Sequence, residues 1–428
     1  MSSKSFDILK TIKHLTKSTD DAFYCICNLS DIYEKYKMWT SVFPDIKPYY
    51  AVKCNDDLTA LKLLASLGIG FDCASKLEIK KILSLNVDPN KIIYANPNKF
   101  IADLQYAVNE EVSLMTFDNE CELYKIQKIY PRARLVLRIK SEAIRANYPM
   151  GNKFGCDPIE EAPQLLKLAK ALNLNVIGIS FHVGSGCQEP AAYGRAIANA
   201  RKVYDYAQTL GYNLSILDIG GGYPGATGTS IVEIADIVKR ALNAYFKDVD
   251  IQVIAEPGTF FVQSAYTLAC NIYALKTLTR KEIDGTKVPH RMYFINDGIF
   301  GSFNCVMSYQ EEVYPITLDE YPHSKQVSSS IWGPTCDGLD RVVKEISLPE
   351  MAIGDWFVFE NMGAYTIPLI TSFNGFSKPK IYYVIDQNIR SSVKNSDLSI
   401  INVCGIEIIN EGDTSALRGF LKLYHSII

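Results

Sequence analysis

Nothing in this sequence approaches the ~20 consecutive apolar residues needed to cross a bilayer. Met1 to Asp20 is polar and lysine-bearing, without the apolar core of a secretory signal or an anchor, so a cytoplasmic protein with no membrane partner is expected. Charge of one sign is also lacking. The 44 Lys+Arg and 47 Asp+Glu leave a formal net charge of -3, which gives no basic field for nucleic acid. Histidine is scarce, with five residues and none at metal-ligand spacing, so no metal is expected. The eleven cysteines contain no Cys-x-x-Cys pair, and their odd count and irregular spacing argue for reduced thiols over a disulfide framework. What is left is a 428-residue chain, 48% hydrophobic and 21% charged, with room for about two domains.

That chain contains a repeated unit. Apolar runs rich in Val, Ile, Phe and Tyr recur at Tyr49 to Lys53, Ile69 to Ala74, Lys91 to Ala95, Leu114 to Asp118, Leu135 to Lys140, Val176 to Val183, Leu214 to Ile219 and Gln252 to Glu256. They do not alternate strictly, which suits parallel strands buried on both faces. Between them, stretches such as Leu58 to Leu67, Glu160 to Leu172 and Ile231 to Phe246 return apolar residues every three or four positions and read as amphipathic helices. Eight strand-and-helix units joined by right-handed crossovers predict an α/β chain with a (β/α)8 TIM-like barrel over residues 44–264. From Tyr266 the runs turn short and β-like, as at Ala269 to Leu275, Met292 to Asn296, Trp356 to Glu360 and Lys380 to Val384, so a second, all-β domain is expected over 265–385. Residues 1–43 are expected to supply a helix packed on the barrel and a β contribution from Ala22 to Asn28. Residues 386–428 carry no strong pattern.

In such a barrel the chemistry gathers where strands end. Lys53 closes the first run, Asp72 the second, Arg138 the fifth and His182 the sixth. Gly220, Gly221 and Gly222 follow the seventh, and Glu256 closes the eighth before Pro257 and Gly258. Consecutive glycines let backbone N–H groups approach an anion, and barrels often hold a phosphate at the loops after strands seven and eight. A buried lysine amine is a Schiff-base nucleophile, and a nearby carboxylate holds a pyridine nitrogen protonated. Together these residues suit pyridoxal 5'-phosphate. Alone, each has an ordinary reading: a solvated lysine, a tight glycine turn, a hydrogen-bonded core histidine, a glutamate paired with Arg138.

Six motifs resemble the eukaryotic ornithine decarboxylase family: Tyr-Tyr-Ala-Val-Lys-Cys-Asn at 49–55, Phe-Asp-Cys-Ala-Ser at 71–75, Ser-Phe-His-Val-Gly-Ser-Gly-Cys at 180–187, Asp-Ile-Gly-Gly-Gly-Tyr-Pro-Gly at 218–225, Trp-Gly-Pro-Thr-Cys-Asp-Gly-Leu-Asp at 332–340 and Glu-Asn-Met-Gly-Ala-Tyr at 360–365. The resemblance runs from Ala22 to Val384 and implies a barrel with a C-terminal β-sandwich-like domain. It implies that Lys53 carries the cofactor through its amine, Glu256 holds the ring nitrogen, and His182 packs on the ring face. Ser185, Gly222, Gly258 and Tyr365 would bind phosphate, with Asp72, Arg138, Gly220, Gly221 and Thr259 completing the cofactor site. Cys336 and Asp337 would enter from the second subunit of a homodimer, the thiol to return a proton and the carboxylate to hold the distal ammonium of an amino-acid substrate. Lys153 and Asp340 match a cross-dimer ion pair of the family.

Two departures stand out. Thr259 occupies the place of a family arginine, which removes a cation from the phosphate. Tyr309 stands where the family has a second carboxylate for the distal ammonium, with Ser308 in place of the preceding tyrosine; Glu311 and Glu312 are the nearby candidates to replace that carboxylate. The resemblance thus implies conversion of L-ornithine to putrescine and CO2. The alternative is a paralogue resembling the antizyme inhibitors, non-catalytic or shifted in substrate. Ile101 to Lys125 matches the antizyme-binding region of the family, yet Gln105 replaces a lysine there and only Lys125 remains of that basic pair, so antizyme binding is not expected.

Overall fold

The computed structural model describes residues 8–18, 23–141, 143, 146–148, 151–281, 284–386, 389 and 408–409. They divide into two compact units, Glu34–Val262 and the chain on either side of it. No helix among the described residues is long and apolar enough to cross a membrane.

In the first unit eight parallel strands close into a barrel: Ile46–Ala51, Gly70–Cys73, Ile92–Tyr94, Leu114–Phe117, Arg134–Arg138, Asn175–Ser180, Ile216–Asp218 and Gln252–Ala255. Each lies on one of the apolar runs. The eighth strand pairs with the first, Val253 opposite Ile46, which completes the ring. Tyr49, Ile93, Leu114, Val136, Ile216 and Ile254 fill the interior as one buried cluster, so the barrel is a packed core with its chemistry confined to the strand ends. Helices Leu58–Ser66, Ala162–Ala171 and Val232–Tyr245 occupy the expected amphipathic stretches. Capping sets where they begin: Asp57 Oδ1 accepts from Thr59 N at 3.1 Å and Ala60 N at 2.9 Å, an arrangement worth about 1 kcal/mol.

The barrel unit begins earlier than residue 44. Helix Leu29–Val42 runs across the boundary between the units, and its later half belongs with the barrel. Trp39 packs 5.0 Å from Tyr223 and 4.9 Å from Phe43, and its Nε1 donates to Ile46 O at 2.9 Å. An aromatic buried this way ties the helix to the strand it precedes.

The second unit is a mixed sheet, nine-stranded among the described residues. Its spine is the long strand Tyr266–Lys281, which pairs with Phe23–Asn28 and Trp356–Phe359 along its first half and with Lys287–Ile295 along its second. A register shift between Ile272 and Ala274 separates the two halves. Gln326–Trp332 and Arg341–Pro349 extend one side, and Lys380–Val384 lies beside Phe23–Asn28 on the other. Ile408–Ile409 adds a short parallel pairing to Lys380–Val384. Of the expected patternless tail, 387–388, 390–407 and 410–428 lie outside the described residues, as does Ala22 at the start of the expected N-terminal strand.

The N-terminal helix, Ile8–Ser18, corrects the expectation that it packs on the barrel. Ile12 and Leu15 are buried in one cluster with Tyr24, Ile26, Val358 and Tyr382 of the β unit. Tyr24 Oη also donates to Ile12 O at 3.0 Å. An amphipathic stripe records that a face is buried but not what covers it. Ile12→Ala should therefore destabilise the protein by about 2–5 kcal/mol, measured from urea unfolding. An unchanged midpoint would contradict this packing.

Candidate active site at the barrel mouth

Lys53 lies two residues beyond the first strand, in the turn Val52–Cys54. Tyr50 Oη, donating to Asn55 O at 2.8 Å, closes that turn from below. The neighbouring strand places Asp72 opposite Ala51, and the Lys53 ammonium bonds Asp72 Oδ2. Asp72 is fully buried, and its Oδ1 has no hydrogen-bond partner. A buried carboxylate needs its cation, so this pair holds the lysine amine at the mouth.

Two further carboxyls close the floor. Asp218 ends the seventh strand and Glu256 follows the eighth; both are buried and lie within hydrogen-bond reach of each other, so a proton on one carboxyl bonds the other. Burial pushes the Asp218 carboxyl up to about 7, against the pull of the Gly220 N–H that it accepts at 2.9 Å. Glu256 is held well above the ordinary carboxyl range by burial and then by the negative neighbours Asp218 and Asp72, with Lys53 and Arg138 opposing. Arg138, at the end of the fifth strand, lies with its guanidinium 4.9 Å from the Phe154 ring. The mouth thus gathers three buried carboxyls below two partly exposed cations.

Gly220, Gly221 and Gly222 form a tight loop over this floor. Gly220 and Gly222 have φ of 64° and 105°, which side chains rarely adopt. The loop is pinned by Glu256 N donating to Gly220 O at 2.8 Å and Tyr193 Oη to Gly221 O at 2.9 Å. A Cβ on Gly221 would lie 2.8 Å from His182 Nε2, so the imidazole rests against the loop. His182 Nδ1 accepts from Gly184 N at 3.0 Å, which assigns the remaining proton to Nε2. Burial, then Arg138, then Lys53 lower its pKa and keep the ring neutral. Thr259, after Gly258, opens the short helix Thr259–Val262 with its hydroxyl 3.9 Å from Cys54 Sγ, beside the Lys53 turn. Ser185 stands beyond the sixth strand, in a ribbon where Ser185–Cys187 pairs with Ala146–Tyr148.

The other expected site residues belong to the β unit. Tyr365 has φ 53°, an outlier for an aromatic residue, and its ring meets Tyr309 edge-on at 5.5 Å. Ser308 ends the helix Asn304–Ser308, with Oγ donating to Asn304 Oδ1 at 2.6 Å. Of the two candidate replacements for the missing carboxylate, Glu311 is half-buried with its pKa raised by burial, whereas Glu312 is exposed and accepts from Tyr314 Oη. Cys336 and Asp337 are carried on a loop gripped from below by Asp340. Its Oδ1 accepts from Ile299 N at 2.9 Å, and its Oδ2 from Thr335 N at 2.9 Å and Thr335 Oγ1 at 2.7 Å. Asp340 is thus buried and engaged within its own unit, while the Lys153 ammonium, its expected cross-dimer partner, lies 5.0 Å from the Phe154 ring.

Two residues of the mouth escaped sequence reasoning. Asp218 read as the last residue of an apolar strand, and only its place before three glycines signals more. Glu78, whose carboxylate accepts from Ala74 N at 2.5 Å, is raised in pKa by burial and sits in the field of Asp72 and Lys53. Its signal was Ser75 three residues earlier, a helix-capping pattern. Because the folded pKa of Asp218 is raised, the stability it contributes is present in full below its unfolded value of ~3.9 and is lost as pH rises to about 7. Without ligand, the wild type should therefore lose melting temperature relative to Asp218→Asn as pH climbs through that window. Parallel curves would contradict a buried protonated carboxyl.

The family model for the pyridoxal binding domain of pyridoxal-dependent decarboxylases matches residues 29–263. Ornithine decarboxylase of Rattus norvegicus is 45% identical over 399 residues, covering 91% of this chain and 86% of that protein. Antizyme inhibitor 2 of Xenopus laevis is 43% identical over 389 residues, 89% of this chain and 85% of that protein. Among solved structures, the arginine decarboxylase of Paramecium bursaria Chlorella virus superposes with a TM-score of 0.82 at 36% identity, covering 88% of this chain and 100% of that one. By the family model and by these identities over most of its length, this chain belongs to the ornithine decarboxylase family of pyridoxal-dependent decarboxylases.

Proposed function

We propose that this protein is a pyridoxal 5'-phosphate-dependent decarboxylase that converts L-ornithine to putrescine and CO2 in the cytoplasm. The observation that carries the reading is the buried Glu256 carboxyl, held protonated by burial and by Asp218 and Asp72 in the field of Lys53. A ring nitrogen bearing a proton would let Glu256 ionise. The glycine loop suits a phosphate, since a side chain at Gly221 or Gly222 would collide with Glu256 O, His182 Nε2 or Gly184 O, so the loop presents backbone alone.

In this reading Lys53 holds the cofactor through its amine, and Asp72 keeps that amine in place. His182, kept neutral, would pack on the ring. Gly220, Gly221, Gly222, Gly258, Thr259, Ser185 and Tyr365 would hold the phosphate, with Arg138 supplying positive potential. What the cofactor supplies when bound is an electron sink for the pair left on the substrate carbon as CO2 departs. Cys336 returns a proton to that carbon, and Asp337 holds the distal ammonium. Both act in a homodimer from the partner's loop, with Tyr309 and Ser308 bordering the amine. Antizyme is disfavoured as a partner: Lys125, the remaining basic residue of the expected pair, is engaged by Glu122 Oε2 at 2.6 Å and by Lys99 O.

The test is CO2 release from L-ornithine at saturating pyridoxal phosphate, with Lys53→Ala as the blank. Turnover above the blank is expected. Turnover of only L-lysine or L-arginine would reassign the substrate, and none with any of the three would favour a non-catalytic protein. Thr259 leaves the phosphate one charge-assisted bond short, each worth about 1.5–3 kcal/mol. Thr259→Arg should tighten cofactor binding by roughly one to two decades, read by equilibrium dialysis; unchanged affinity would show that the phosphate lies away from this position.

A further inference from the structure

The β unit buries one histidine that takes no part in the reading above. His290, in strand Lys287–Ile295, is fully buried, and both ring nitrogens are engaged: Nδ1 with Ser328 Oγ at 2.9 Å and Nε2 with Ser330 Oγ at 2.9 Å. The contacts continue on both sides. Trp332 Nε1 donates to Ser330 Oγ at 2.8 Å, and Ser328 Oγ donates to Glu345 Oε1 at 3.1 Å. Arg280 meets the same carboxylate at 3.3 Å.

One arrangement of protons satisfies this chain. Ser328 gives its proton to Glu345, so His290 Nδ1 donates to Ser328. The neutral ring's Nε2 then accepts from the Ser330 hydroxyl, which in turn accepts the indole N–H. Burial lowers the His290 pKa and favours this neutral ring. Every group in the relay is used once in each direction it can serve, so the far end is fixed in orientation.

That far end is Trp332, the last residue of strand Gln326–Trp332. Its ring is also covered by the Arg341 guanidinium at 5.3 Å. Directly after it, Gly333 N donates to Asp340 O at 2.9 Å, and a Cβ on Gly333 would lie 2.2 Å from Asp340 Oδ1. Thr335 is gripped by Asp340, and Cys336 N donates to Asn374 Oδ1 at 2.9 Å. The loop has no slack at its origin, so the pose of Trp332 is passed on to it.

We propose that His290 is a positioning residue: through Ser330 it orients the Trp332 indole, and so sets the start of the loop that carries Cys336 and Asp337. The inference rests on the reading that this loop works on substrate, but its test does not require turnover. In the full-length protein, Cys336 and Cys121 are both exposed, so iodoacetamide labelling followed by mass spectrometry gives a rate ratio with Cys121 as internal reference. His290→Phe, which removes both bonds, should change that ratio by about two- to tenfold, the range conferred by one neutral hydrogen bond, and should lower kcat. Trp332→Phe, which removes the indole N–H together with part of the ring beneath Arg341, should give at least the same change, and the two together should add little to it. His290→Gln, whose amide reaches the Nε2 position, should restore the ratio; His290→Asn, which reaches only Ser328, should not. An unchanged ratio in folded His290→Phe, or rescue by Asn equal to that by Gln, would overturn the proposal. If His290→Phe fails to fold, an unchanged ratio in Trp332→Phe overturns it. Absence of decarboxylation in the wild type would instead count against the function and leave the labelling ratio readable.

Discussion

The constraint on which the barrel mouth depends is the desolvation of its carboxyls. Asp72, Asp218 and Glu256 are buried together; Asp72 Oδ1 has no hydrogen-bond partner, and the Asp218 and Glu256 carboxyls bond each other only by sharing a proton. Taking a carboxyl out of water is costly, so three in one place mark a site shaped for something other than its own stability. Lys53 answers Asp72 directly, and Arg138 acts on Glu256 and Asp218 through its field. The remaining imbalance is relieved by protons, which is why Asp218 and Glu256 both rise. A ligand that brings its own proton-bearing nitrogen would replace those protons and let the carboxyls ionise against a fixed positive partner.

The surrounding chain can be read as a consequence. The glycine loop must pass within contact distance of His182 and of the backbone at Glu256, which no side chain at Gly221 would permit. His182 must stay neutral beside two cations, and its Nδ1 is committed to Gly184 N, so one flat face remains for a ring. The β unit solves a different problem. Its loop residues 335–337 are short and polar, and a buried aspartate, Asp340, supplies the rigidity that a strand would otherwise give. Both units therefore place reactive groups on turns and make those turns rigid from beneath.

The sequence made the barrel legible because each buried strand is an apolar run with few alternatives, and eight of them in order leave little freedom of topology. Lys53, Arg138 and Glu256 stood out because charge is unexpected at the end of such a run. What escaped had ordinary surroundings in sequence. Asp218 looks like a strand terminus, and its role comes from Asp72 and Glu256, which are distant in the chain and adjacent only when the barrel closes. The partner of helix Ile8–Ser18 was misread for the same reason: periodicity reports a buried face, whereas the identity of the covering sheet is set by Tyr24, Val358 and Tyr382, brought together from both ends of the chain. The start of the barrel unit at Glu34 depends on Trp39, one aromatic whose neighbours lie at 223 and 260.

Fold alone does not separate the family's members, since one architecture carries proteins of different names and the distinction lies in their sites. At the candidate site the departures that the resemblance implies fall at Thr259, Ser308 and Tyr309, while Lys53, His182 and the buried carboxyls Asp72, Asp218 and Glu256 stand at the barrel mouth. Those positions differ in what they demand. A phosphate contact at the edge of a glycine loop can be lost with a graded fall in affinity, because the backbone of such a loop can still donate to an anion. A buried carboxyl cannot be kept at leisure: each one retained without a ligand destabilises the barrel it sits in. A chain that had abandoned its cofactor would gain stability from any neutral replacement at Asp218 or Glu256, and mutation would supply such replacements readily. Their presence together, at the cost of burying them, is the physical argument that the mouth is in use.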